Sequence, residues 1–251
     1  MVDYLDLRLL DCAPMAPAFP RWRVSTPCLV VRTDLGLVLV DTGLGVHDHL
    51  SPGSMVRAFR ALLGVVPGEA ATALHQLAGM GFEPSDIKHI VLTHLHFDHA
   101  GGLPDFPGAR VHVHRRELDA MLKHRGLMSV AYDPADFAHG PRWVLYAAAA
   151  ELWFGLEAIR LPFEPEMLLI PLFGHTRGLC GVAIRDGKGW LLQASDALPL
   201  NAQVGLTPPW LNRLVLGPHV PRLLALAAAH PEVRLLAGHM LRGVDIPAIG
   251  V

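Results

Sequence analysis

Surplus positive charge is missing from this chain: 21 Lys and Arg stand against 23 Asp and Glu, a formal net charge of -2 over 251 residues. No global basic field exists to concentrate a polyanion, so nucleic acid is not an expected partner. Long apolar runs are missing as well. The most apolar stretch, residues 143–156, is interrupted by Glu151 and is too short to cross a bilayer, so no membrane span is expected. A basic leader is lacking too: Asp3 and Asp6 stand where a secretion signal would carry Lys or Arg, and no apolar run with a small-residue cleavage site follows. An unprocessed cytoplasmic protein is the expectation. Cysteine is scarce, and Cys12, Cys28 and Cys180 cannot all pair within one chain. Cys28 and Cys180 fall in apolar stretches that read as strands, which favours buried free thiols over a metal or redox role.

What the chain does have is apolar residues, 51% of the total, enough for a substantial core. Residues 28–33 and 37–40 flank the turn Asp34-Leu35-Gly36 and read as a hairpin that ends at Asp41-Thr42-Gly43. Helical spacing covers residues 69–77, and residues 87–93 read as a buried strand. A strand at 110–114, a helix at 116–123, an irregular stretch at 126–142 and a second helical pattern at 145–159 follow. Residues 115–160 are thus expected to form a helical insertion that shapes a pocket. Strands are expected at 167–171, 180–185 and 190–194, then a loop with Pro208-Pro209-Trp210, a helix at 220–229 and a strand at 233–236. No repeat, low-complexity tract or long linker divides the chain. Interleaved strands and helices point to one α/β domain over residues 1–251, with mixed sheets covered by helices.

Fifteen histidines are the compositional oddity, and their placement carries the information. Thr93-His94-Leu95-His96-Phe97-Asp98-His99 puts four potential ligands on the loop leaving a strand, where alternate side chains can converge. Imidazole is the usual nitrogen ligand for zinc and carboxylate the usual oxygen ligand, and a hydrolytic site needs about three protein ligands per metal plus an open position. Four residues cannot complete two such shells. Three more candidates stand where later strands end: His175 in Gly174-His175-Thr176-Arg177-Gly178, then Asp196, then His239 after Gly238. Loops at one edge of layered sheets face a common crevice. By contrast, His112-Val113-His114 reads as two sides of one strand, without a metal role.

The ordered set His-x-His-x-Asp-His, Gly-His-Thr, Asp and Gly-His resembles the metallo-β-lactamase superfamily, with the likeness running from Asp41 through His239. That resemblance implies a four-layer αββα sandwich of two mixed sheets, of the α/β (α+β) class. It further implies two zinc ions, with iron, manganese or cobalt as alternatives. His94, His96 and His175 would hold one ion, Asp98, His99 and His239 the other, and Asp196 would bridge them. Asp41 would support the site by accepting the free ring proton of a ligating imidazole; a plain turn after a strand is the equal alternative for Asp41. Asp98 would pass a proton to the leaving group.

The same resemblance orders the substrates. Asp196 argues against the true β-lactamases, and the twelve residues after His239 leave no room for the helical domain of glyoxalase II-like enzymes. Acyl-homoserine lactonases usually carry a tyrosine three residues after the bridging Asp, where Pro199 stands here. A general lactone or ester hydrolase acting on a small molecule is therefore the expectation, with phosphoester hydrolysis open on the same site. A mononuclear iron sulfur dioxygenase is a further reading, as is a non-catalytic metal-binding protein. The aromatic residues Tyr132, Phe137, Trp143, Tyr146, Trp153 and Phe154 are candidates for a pocket wall, together with Trp210 at its rim; anchoring to the core is the alternative. Arg177 would clamp a carboxylate or phosphate, or make a structural ion pair. The apolar composition is also compatible with a homodimer.

Overall fold

Alternation of apolar side chains along the first strands decides the layering. In the computed structural model, which describes residues 7–16, 23–66, 68–123, 127–198 and 218–241, strand β2 (Val24–Thr33) pairs antiparallel with β3 (Gly36–Val40), matching Leu29 to Val40 and Val31 to Val38. Leu29, Val31, Val38 and Val40 enter one core with Met167, Leu169, Val182 and Ile184. Cys28, Val30, Leu37 and Leu39 enter another with Leu77, Ile90 and Leu118. Successive side chains of a strand point to opposite faces, so this sheet is covered on both sides.

Its order is β1 (Leu7–Met15), β2, β3, β4 (Ile87–Val91), β5 (Arg110–His114) and β6 (Arg142–Tyr146), with the short β13 (Met240–Leu241) also on β2. From β3 to β6 the pairing is parallel. The second sheet runs β12 (Val233–Ala237), β11 (Gly189–Ser195), β10 (Cys180–Asp186), β9 (Met167–Pro171), β8 (Leu156–Arg160) and β7 (Glu151–Trp153), antiparallel except for β11 with β12. Helices α1 (Val46–Leu50) and α2 (Ser54–Leu63) follow β3, and α3 (Ala73–Gly79) precedes β4. The short α4 (Phe97–Ala100) follows β4, α5 (Arg115–Leu122) follows β5, and α6 (Val220–Ala229) precedes β12.

Ala73, Leu77 and Leu118 bring α3 and α5 onto the outer face of the first sheet; Leu223, Leu226 and Ala227 bring α6 onto the outer face of the second. The architecture is a four-layer αββα sandwich of two mixed sheets. Fully burying a Leu- or Ile-sized side chain contributes about 1.5–3 kcal/mol, and four core clusters among the described residues draw on such apolar side chains. Cys12, Cys28 and Cys180 are free and buried. Among the described residues no helix is long and apolar enough to cross a membrane.

Two sequence expectations need correction. Residues 145–159 are not helical: Arg142–Tyr146 is β6, paired with β5, and Glu151–Trp153 and Leu156–Arg160 are the β7–β8 hairpin. Its two-residue turn is Phe154-Gly155, with φ of 46° and 77°, the left-handed pair that matches strand twist. Among the described residues of 115–160, only α5 and two 3-10 turns, Leu127–Ala131 and Pro134–Phe137, are helical. Secondly, His112 and His114 lie on the same side of β5, as residues two apart on a strand must. His112 meets Phe163, and His114 meets Phe173, while Val113 enters the opposite core.

Candidate metal centre

Five strands aim their C-terminal ends at one place. Strands β3 and β4 are parallel, so Asp41 and the loop beginning at Thr93 leave the first sheet on the same edge. Strands β9 and β11 are both antiparallel to β10, and β12 is parallel to β11, so His175, Asp196 and His239 all leave the second sheet in one direction. The edges are tied together: Cys180 N donates to Thr93 O at 2.9 Å, and the hydroxyls of Thr93 and Ser195 lie 2.9 Å apart. His96 is the residue before α4, so Asp98 and His99 sit on the first turn of that helix.

The side chains of His94, His96, Asp98, His99, His175, Asp196 and His239 meet at this edge. One donor atom from each of His94, His96 and His175 falls in one group, Asp98, His99 and His239 form a second, and His94, His99 and Asp196 a third; within each group the atoms lie within 4.8 Å of one another. Asp196 Oδ2 is 3.2 Å from His175 Nε2, while its Oδ1 is 3.6 Å from His99 Nε2 and 3.7 Å from His239 Nε2. Asp98 Oδ2 is 3.7 Å from His239 Nε2. His94 Nε2, His99 Nε2 and Asp196 Oδ1 are buried and have no hydrogen-bond partner. Native proteins rarely leave such atoms unsatisfied, and clustered imidazole and carboxylate donors are the set that divalent transition metals take. The arrangement fits a dinuclear metal site.

Residues 21–239 match the model of a protein family, the metallo-beta-lactamase superfamily. The chain belongs to that superfamily. It is 41% identical over 173 residues to the probable metallo-hydrolase Rv2300c of Mycobacterium tuberculosis, a match covering 67% of this chain and 55% of that protein. The chain thus spans about half the length of that relative. It is 26% identical over 181 residues to the N-acyl homoserine lactonase AttM of Azorhizobium caulinodans, covering 70% of this chain and 66% of AttM. Among solved structures, AidC, a dizinc quorum-quenching lactonase in complex with a product, superposes with a TM-score of 0.59 at 20% identity, covering 90% of this chain and 74% of AidC.

Around the cluster, this superfamily member holds its histidines from behind. Asp41, in the left-handed region at φ 56°, accepts from Thr93 N at 2.8 Å, from Thr93 Oγ1 at 2.8 Å and from His99 Nδ1 at 2.9 Å. Ser195, at φ 49°, is also left-handed, directly before Asp196. Non-glycine residues rarely adopt this backbone, and functional sites are where such strain gathers. Thr26 Oγ1 lies 3.4 Å from His239 Nδ1. Burial opposes ionisation of Asp196, yet His175, His239 and His99 outweigh it and hold the carboxyl well below its ordinary range. Burial first, then neighbouring imidazoles, push His94 well down, toward the neutral form a metal binds.

Glu117 on α5 was not singled out by its sequence context. It is fully buried and accepts four hydrogen bonds: from Leu95 N and Tyr132 OH at Oε1, both 3.1 Å, and from Thr176 Oγ1 at 2.7 Å and Gly178 N at 3.0 Å at Oε2. One carboxylate thereby locks the His94–His96 loop to the His175 loop. A Cβ on Gly178 would overlap the Glu117 backbone, so the approach requires glycine.

Most of the aromatic candidates pack into the cores. Trp153 packs on Trp190, and Phe154 on His230. Trp190 starts β11 whereas Asp196 follows its end, so at about 3.3 Å per residue these rings lie well over 10 Å from the cluster along the strand. Trp143 packs on Phe137 within the outer core of the first sheet. Tyr146 joins the core between the sheets, with its hydroxyl 2.8 Å from His112 Nδ1. These four anchor the core. The ring beside the cluster is Tyr132, with its centroid 5.2 Å from that of His96. Arg177 is exposed, two residues from His175, and has no ion pair among the described residues. Pro199 and Trp210 lie outside the described residues.

Proposed function

We propose that this chain is a two-zinc hydrolase that opens a lactone or cleaves an ester. The observation that carries this reading is the placement of Asp196 between two groups of donors, each of which supplies three ligands. His94, His96 and His175 would hold one ion, Asp98, His99 and His239 the other, and Asp196 both. When bound, two such ions would lower the pKa of a water toward about 7 and would polarise the substrate oxygen. The chain supplies the rest. Asp41 fixes His99 by accepting a hydrogen bond from its Nδ1, and Glu117 sets the two ligand loops in register. Asp98, whose Oδ2 faces His239, carries a proton to the departing oxygen. AttM's likeness supports the lactone class. Three free buried thiols suit a reducing cytoplasm.

A phosphoester reading is favoured by one feature, the exposed Arg177 two residues from His175, which has no ion pair among the described residues, since a guanidinium matches an anionic phosphoryl group. One experiment separates these readings from the iron oxidase and from a binding protein. Metal content is measured on purified protein alongside a panel of lactones, aryl esters and phosphoesters. About two zinc per chain with chelator-sensitive, oxygen-independent lactone or ester turnover is expected. One iron with oxygen uptake, or no turnover across the panel, overturns the proposal.

A further inference from the structure

Outside the seven-residue cluster, a second set of buried ligand-type side chains has no role in the chemistry above. His47 and Asp48 open α1, and Asp136 lies in the turn Pro134–Phe137. His47 Nε2 is 3.3 Å from Asp48 Oδ1 and 3.1 Å from Asp136 Oδ1, and both carboxylates are fully buried. One donor atom from each residue lies within 4.8 Å of the others.

The internal hydrogen bonds do not satisfy this group. Asp48 Oδ2 accepts from Gly45 N at 2.9 Å, but Asp48 Oδ1 and both oxygens of Asp136 are buried without a hydrogen-bond partner, as are both ring nitrogens of His47. A single imidazole N–H pointing between two carboxylates can serve one oxygen well and leaves the others bare. The charge is unbalanced too: even a protonated His47 neutralises only one of two buried carboxylates, and an isolated buried charge costs several kcal/mol. Burial, then repulsion by Asp136, push the Asp48 carboxyl up to about 7; burial pushes Asp136 up to about 6, with His47 opposing.

We propose that His47, Asp48 and Asp136 form a third cation site, separate from the dinuclear centre and sharing no residue with it. Two carboxylates and one neutral imidazole balance one divalent charge, and the nitrogen donor selects a transition cation such as zinc over calcium or magnesium. Its role is positional. The ion would fasten α1 to the turn Pro134–Phe137, and the residues before that turn carry Tyr132, which reaches Glu117 and packs on the His96 ring.

The test is anomalous diffraction from crystals of the full chain equilibrated with saturating zinc, on the wild type and on His47→Gln, with metal content measured in parallel. His47 is partly exposed, Asp136→Asn serves as a second variant, and circular dichroism checks that both variants keep the fold. An anomalous peak between His47, Asp48 and Asp136 in the wild type, absent from both variants while the dinuclear centre keeps its own peaks, is expected. No peak there at saturation, or a peak of equal height in His47→Gln, overturns the proposal. Because each location is read separately, failure of the dinuclear reading shows as missing peaks at His94 and His239 and leaves this outcome intact.

Discussion

Glu117 offers two oxygens to four donors, and replacing it by Gln shows what that clamp contributes. Each oxygen takes one backbone N–H and one hydroxyl: Leu95 N with Tyr132 OH, and Gly178 N with Thr176 Oγ1. Glu117→Gln turns one oxygen into an NH2. A hydroxyl can rotate and accept from that group; a backbone N–H cannot. Whichever way the amide turns, the N–H of Leu95 or of Gly178 is left buried without an acceptor, which costs about 1–3 kcal/mol. The surviving bonds also lose their charge assistance, about half their strength. Against this, burial raises the Glu117 carboxyl above its ordinary range, with Thr176 and the other donors opposing, and a neutral amide escapes that penalty. The net expectation is a destabilisation of about 2 kcal/mol. Leu95 lies between His94 and His96, and Thr176 follows His175, so the loss also loosens the ligands. Removing a partner behind a ligand lowers metal affinity about 10- to 100-fold. Urea unfolding reads the first quantity and zinc competition against a chromophoric chelator the second. An unchanged midpoint together with unchanged zinc affinity in Glu117→Gln would refute the clamp.

Other outcomes are equally specific. Asp98→Asn, assayed at saturating zinc because Asp98 is also a proposed ligand, is expected to lose turnover about 100-fold, the scale of a missing general acid; full activity in the zinc-loaded variant removes Asp98 from the proton path. Gly238→Ala places a Cβ on Asp196 Oδ1, so zinc stoichiometry is expected to fall while the fold survives, and wild-type stoichiometry would contradict the crowding. Burial, then His89, lower His112 to about 3. Because the folded pKa lies below the unfolded value near 6.5, the unfolded chain binds the extra proton, and stability falls as pH drops from about 6.5 to about 3. The slope is at most about 1.4 kcal/mol per pH unit for that one group. His112→Phe is expected to flatten this acid limb in urea unfolding measured across pH; an identical slope would rule out His112 as its source.

The sheet framework was legible wherever apolar residues run together between turn formers: β9 and α6 fall on the expected bounds, Met167–Pro171 and Val220–Ala229. It failed at 145–159 because four alanines and spaced apolar residues carry helical propensity, while pairing with β5 and the edge of the second sheet decided the outcome. Strand β1 was missed because Asp11 and Pro14 interrupt its apolar pattern. The convergence of the seven side chains was legible because they announce themselves locally, as His-x-His-x-Asp-His and as residues following strand ends. Glu117 was not. Arg115-Arg116-Glu117 reads as a solvated helix face, and its four donors come from three distant segments, so no local spacing marks it.

The pooling of donors from both sheets has a consequence for how the molecule is assembled. Neither half alone presents more than a partial set, so ion capture has to wait until the halves have docked. An ion that recognises only the docked form then adds its binding free energy to the cohesion of the two halves, in proportion to RT ln(1 + [ion]/Kd). On the proposed metal loading, metal supply would set mechanical integrity as well as activity, and stripping the ions should loosen the seam between the sheets before it melts either one.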